Sequence, residues 1–181
     1  MKNLSVNRAV ITAKKNFNLR WLLVPLVFIT LCSQNTWASD VTLSLSDFGW
    51  TTNSYTSTSI TKTVGFTCNN GAKNGTSNMA FKKSASLWNT SAFDQNITSV
   101  VVNVEGFSSA TDAGFYIYGG ASAGATTTTF VNNTGTTGAI TANFSGYSYK
   151  YFTITVKSSR AMYVSSIVIS YGGGSTKTLL F

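Results

Sequence analysis

Histidine is absent from this chain. Without an imidazole, Ser-His-Asp and Cys-His nucleophilic catalysis, the usual zinc sites and most general acid and base designs are excluded. Acids are nearly as scarce, being limited to Asp40, Asp47, Asp94, Glu105 and Asp112. A glycosidase needs two carboxyl groups about 5–9.5 Å apart. Asp94 and Glu105 flank one expected strand, whose length at ~3.3 Å per residue puts them far outside that range. Pairing of Glu105 with Asp112 across the next turn is geometrically allowed, but both read more simply as solubilising charges on a strand edge and a loop. No glycine loop has phosphate-binding spacing. Neither a catalytic residue nor a cofactor is expected.

Proline and cysteine are also rare. The single proline, Pro25, lies in the apolar block Trp21 to Cys32 (WLLVPLVFITLC). A basic run with Lys2, Arg8, Lys14, Lys15 and Arg20 precedes this block, and a polar segment ending Thr-Trp-Ala follows it. That is the order of a secretory signal peptide, with cleavage expected after Ala38. The apolar block would form a helix of roughly 18 Å, short of the ~30 Å hydrocarbon core, so no permanent membrane span is expected once the leader is removed. Cys32 as a lipid-attachment site is the weaker alternative, because Leu31 stands where lipoprotein signals want a small residue. Cys68 is then the only cysteine left, and it reads as a small buried hydrophobe.

Export also changes the meaning of the charge. The full chain carries 13 basic and 5 acidic residues. Five of the basic ones lie before Ser39, which leaves eight against five and a mature charge of about +3. Most of the net positive charge lies in the leader, and no clustered basic face remains for nucleic acid. The oligomeric state is not legible in the sequence.

From residue 41 the dominant signal is period-two alternation, and no window carries a helical stripe. VTLSLS places Val41, Leu43 and Leu45 on one face, and ITKTVGFTC aligns Ile60, Val64, Phe66 and Cys68. ITSVVVNVE aligns Val100, Val102 and Val104; AGFYIYGG sets Phe115 and Ile117 against Tyr116 and Tyr118. YKYFTITVK sets Phe152, Ile154 and Val156 against Tyr149, Tyr151 and Thr153, and AMYVSSIVISY lines up Ile167, Ile169 and Tyr171. Segments 125–131 and 137–144 read as further strands. Asn69-Asn70-Gly71 and Lys73-Asn74-Gly75 read as turns, and Ser158-Ser159-Arg160 as a hairpin loop. The expected fold is an all-β antiparallel sandwich of jelly-roll type with about eight or nine strands over 39–171. Residues 172–181 (GGGSTKTLLF) read as a glycine-rich linker or truncated tail.

ITSVVVNVEGF, AGFYIYGG and YFTITVKSSRAMYVSSIVISYGGG together resemble the small β-sandwich modules at the amino ends of secreted Bacteroidetes-type proteins. Those modules are galactose-binding-like or jelly-roll domains, often followed by bacterial immunoglobulin-like domains that begin with a segment similar to Ser175-Thr176-Lys177-Thr178-Leu179. The resemblance implies a fold and a secreted or cell-surface location, and it carries no functional residue.

Aromatic residues give the functional hint. Trp50, Trp88, Tyr116, Tyr118, Tyr149 and Tyr151 stand in loops or opposite the apolar rows, where rings stack on sugars while Asn and Thr supply hydrogen bonds. The plainer alternative is that the tryptophans plug the ends of the core and the tyrosines cover an outer sheet face. A structural Ca²⁺ held by loop carbonyls with Asp47 or Asp112 is a further, weaker option. The expected function is an exported, non-catalytic binding module for a glycan or surface polymer. The alternative is a spacer or adhesin-like domain of a longer surface protein.

Overall fold

The computed structural model describes residues 38–109, 111–157 and 161–173, all within the unit Thr36–Phe181. The expected leader (apart from Ala38), the Ser158-Ser159-Arg160 loop and the tail from residue 174 lie outside the described residues. No described helix is long and apolar enough to cross a membrane.

Eleven strands and one helical turn are described: β1 (Ser39–Leu43), α1 (Leu45–Phe48), β2 (Thr56–Thr61), β3 (Gly65–Asn74), β4 (Asn78–Phe81) and β5 (Ser86–Asn89), then β6 (Ile97–Phe107), β7 (Phe115–Gly120), β8 (Thr128–Asn132), β9 (Gly138–Asn143), β10 (Tyr151–Val156) and β11 (Met162–Tyr171). The fold is all-β, and every pairing is antiparallel. The hydrogen-bonded path runs β8-β7-β10-β5-β3-β4-β11-β6-β9, with β1 added to β11 and β2 to β3. Its ends, β8 and β9, approach each other, so the sheet nearly closes around one core.

Alternation decides what enters that core. Val100, Val102 and Val104 of β6 are buried while Ser99 and Asn103 are half-buried and Glu105 is exposed. Leu43, Phe66, Val102, Phe115, Ile117, Ile154, Val156 and Ile167, each assigned to the inner face by periodicity, are all buried. At about 1.5–3 kcal/mol per buried large apolar side chain, this row-by-row burial is the main force holding the strands together. Buried Asn89 ties strands at the rim: its amide donates to the Ser91 and Lys150 carbonyls and its Oδ1 accepts from Phe152 N–H.

Four local expectations are corrected. ITKTVGFTC is not one strand, because residues 62–64 turn the chain between β2 and β3. Asn69-Asn70-Gly71 is not a turn but part of β3, where a register shift opposite Thr56–Thr58 marks a bulge and Asn70 takes φ 53°. β3 pairs with β5 before that bulge and with β4 after it, so the bulge is where the strand changes partner within the sheet. Leu45 leaves the strand for α1. The strand count is eleven because β4 and β5, four residues each, also form. Lys73-Asn74-Gly75, by contrast, does open the tight turn between β3 and β4.

Lys62 stitches the β2–β3 turn to the start of the chain. Its ammonium donates to the Thr42 carbonyl at 2.5 Å and pairs with Asp47 at 2.8 Å. Desolvation pushes the Asp47 carboxyl upward, but the bonds from Lys62 and from the Ser44 backbone and hydroxyl outweigh it and hold the group below its ordinary value. Asp47 is thereby committed to capping α1.

Candidate functional site

Strand register gathers the outward residues of β5, β10 and β7 into rows. Leu87, Ile154 and Ile117 face inward in one row, and the next row outward is Trp88, Thr153 and Tyr118. The row beside it is Ser86, Thr155 and Tyr116, while Tyr151 stands level with Gly120. Four of the six aromatic candidates, Trp88, Tyr116, Tyr118 and Tyr151, therefore share one outer sheet face. All four are half-buried. Tyr116 and Tyr118 stack with centroids 5.5 Å apart at 29°. Desolvation raises the Tyr118 phenol above its ordinary value, with a further contribution from Tyr116. Trp88 lies two strands away, roughly 10 Å at ~4.8 Å per strand. Thr153 separates it from Tyr118 and is itself covered, donating to the Ala125 carbonyl at 3.1 Å.

Beside Tyr116 the surface opens into a groove of about 820 Å³ lined by Ser84, Asp112, Ala113, Tyr116, Thr134, Thr155, Val156 and Lys157. Lys157 extends its ammonium over the Tyr116 ring, 4.9 Å from the centroid. The walls are held by backbone bonds from Lys157 N–H to Gly114 O at 3.0 Å, Asn133 N–H to Phe115 O at 2.8 Å and Val156 N–H to Ala85 O at 2.9 Å. Buried Asn133 folds the Thr134 wall back on itself, accepting from Gly135 N–H and donating to the Thr136 carbonyl. Of the three non-glycine residues with positive φ among those described, two, Ser84 (58°) and Asp112 (53°), line this groove. Such backbone costs of order 1–3 kcal/mol each and concentrates where surroundings fix a functional shape. The groove offers ring faces, hydroxyls, one ammonium and one carboxylate.

The other two candidates lie elsewhere. Trp50 is buried, 9% exposed. It stacks on Phe48 at 4.4 Å, meets Phe81 edge-on at 6.3 Å and donates from Nε1 to the Thr58 hydroxyl at 2.8 Å. Its ring occupies the space that a side chain on Gly71 would need, and its remaining surface lines a separate shallow groove with Leu45, Gly49 and Thr76, away from the other candidates. Tyr149 belongs to a separate cluster, stacked on Tyr147 at 5.6 Å, edge-on to Phe130 at 6.1 Å, with its hydroxyl 2.7 Å from that of Thr128.

Sequence reasoning missed Lys157 and Ser84, and offered Asp112 only as a calcium ligand. Lys157 was findable, since it continues the outward series Tyr151, Thr153, Thr155 at strand spacing. Ser84 and Asp112 reach the groove through long-range folding and left no local signal. Asp47 and Asp112, named for calcium, are far apart in their surroundings: one caps α1 and the other lines the groove. Among the described residues no group of three or more His, Cys, Asp or Glu side chains is placed to hold a metal ion. Comparisons with protein-family models, with curated proteins and with solved structures find no match for this chain.

Proposed function

We propose that the chain is an exported, non-catalytic binding module that takes a glycan or comparable surface polymer on the Tyr116–Tyr118 face and in the adjoining groove. The observation that carries this reading is the stacked tyrosine pair running directly into a groove lined with hydroxyls. The stacked pair offers apolar ring surface to a pyranose, and Ser84, Thr134 and Thr155 supply donors and acceptors for its hydroxyls. In the sequence, the basic leader, its apolar block and its small-residue end support a location outside the cytoplasm, in keeping with its resemblance to secreted sandwich modules. Coverage of Thr153 by Ala125, which interrupts the aromatic row, favours the second reading, a spacer without a small ligand.

Polysaccharide pull-down and glycan-array binding separate the two. Under the binding reading, the Tyr116→Ala and Tyr118→Ala pair of substitutions lowers affinity at least about tenfold, ~1.4 kcal/mol, in a folded protein. Binding persists in ~1 M salt, where the Debye length falls to about 3 Å, because stacking rather than the Lys157 charge supplies the attraction. No retained glycan, or undiminished binding by the double variant, would leave the spacer reading.

A further inference from the structure

A second cleft, about 290 Å³, lies at the other end of the strands. Tyr116 stands near the start of β7 and Val156 at the end of β10, whereas this cleft is walled by Asn96, Ile97 and Thr98 at the start of β6, by residues 144–148, and by Gly172 and Gly173 after β11. The length of β10 separates it from the groove, roughly 20 Å at ~3.3 Å per residue.

Its central feature is Tyr147, the one large hydrophobic side chain exposed among those described, at 49%. The ring is fixed despite its exposure, stacked on Tyr149 at 5.6 Å and 13° and edge-on to Phe130 at 4.9 Å. Beneath it, Phe130 stacks on buried Phe144 at 4.0 Å. The backbone is equally set. Tyr147 N–H bonds to Phe144 O at 3.0 Å across a turn in which Gly146 takes φ 87°, a value that an L side chain resists. Ser145 N–H bonds to the Asn143 side chain, Phe144 N–H to Thr98 O, and Gly172 N–H to Asn96 O. The polar part of the lining is neutral and hydroxyl- or amide-bearing: Gln95, Asn96, Thr98, Ser145 and Ser148.

From this geometry we infer a second binding site, in which Tyr147 is the stacking platform for one or two rings of a neutral saccharide and Gln95, Asn96 and Ser148 bond its hydroxyls. Among the described residues no charged side chain lines the cleft, which suits a neutral ligand. A ring held rigid while half its surface is exposed has already lost its rotamer freedom, which lowers the cost of binding. The chemical class rests on the same glycan reading as the tyrosine face, but the site needs neither the groove nor Lys157. Two sites on one polymer raise its apparent affinity through effective concentration without any further contact.

The test is amide chemical-shift mapping of the ¹⁵N-labelled mature chain with a panel of neutral gluco-, manno-, galacto- and xylo-hexaoses. The expected result is perturbation of Asn96, Ser145, Tyr147, Ser148 and Gly172 amides by at least one oligosaccharide. Tyr147→Ala abolishes it, Tyr147→Phe retains it, and the Tyr116→Ala and Tyr118→Ala pair leaves it unchanged. Tyr147 is exposed enough that its truncation leaves the fold intact, which thermal unfolding checks. Shifts confined to the tyrosine face overturn the second site while sparing the first. Shifts confined to the Tyr147 cleft support the second site and remove the first. Silence at the cleft across the whole panel overturns it.

Discussion

Two tryptophans with similar sequence settings have opposite surroundings. Trp50 is packed on Phe48 and Phe81 with its indole N–H satisfied by Thr58. Trp88 stands half-buried on the outer face between Thr67 and Thr153. Truncating a buried aromatic costs about 3–5 kcal/mol, and here it would also leave the Thr58 hydroxyl without its partner. Trp50→Ala should therefore lose stability in that range. Trp88→Ala, whose outer face is already partly in water, should lose less than half as much. Denaturant unfolding of both variants checks this, and comparable losses would place Trp88 in the core as well. Cys68 belongs with Trp50: it is fully buried, and burial pushes its thiol far above the ordinary value, so it is not a reactive nucleophile.

At the level of elements, legibility followed unbroken alternation within a single strand. In β6, β7, β10 and β11 the alternation runs long enough to separate an inner from an outer row, and those rows are the ones observed. β4 and β5 span four residues each, too few for a period to stand out from composition. ITKTVGFTC misled because Val64 is buried although it sits in a turn, so the apolar spacing continues unbroken through a reversal of the chain. Asn69-Asn70-Gly71 misled for a related reason: Asn and Gly signal left-handed backbone, which a bulge needs as much as a turn does. The same bulge explains why Gly71 is a glycine. A Cβ there would collide with the Trp50 ring and come within 2.8 Å of the Cys68 sulfur. Gly71→Ala should cost about 1–3 kcal/mol by overpacking. Because the clash is with one ring, the penalty should shrink when Gly71→Ala is introduced together with Trp50→Leu. Additive losses in that double-mutant cycle would show that the strain lies elsewhere. The tyrosine face was legible as an outward row, while its groove was not, since Ser84, Asp112 and Thr134 meet only through the order in which strands pair.

For the molecule as a whole, the decisive strand is the first. β1 begins at Ser39, which pairs with Tyr171, and the register continues through Val41 with Ile169 to Leu43 with Ile167. Val41 and Leu43 are buried, so this strand completes the core as well as covering one edge of β11. Cleavage after Ala38 would release a chain that starts where the sheet starts, with every core residue retained. Cleavage five residues later would remove β1, expose Ile167 and Ile169 and leave the backbone of β11 unpaired along that edge, the condition that invites aggregation. Exported protein should therefore begin at Ser39 on amino-terminal sequencing. A chain beginning at Ser44 should be less stable by several kcal/mol, given about 1.5–3 kcal/mol for each of the two buried side chains lost. Material that keeps its leader and stays in the inner membrane would overturn the export reading. Equal stability for the shorter chain would overturn the role assigned to β1, and because the two measurements are independent, either conclusion can fail without the other.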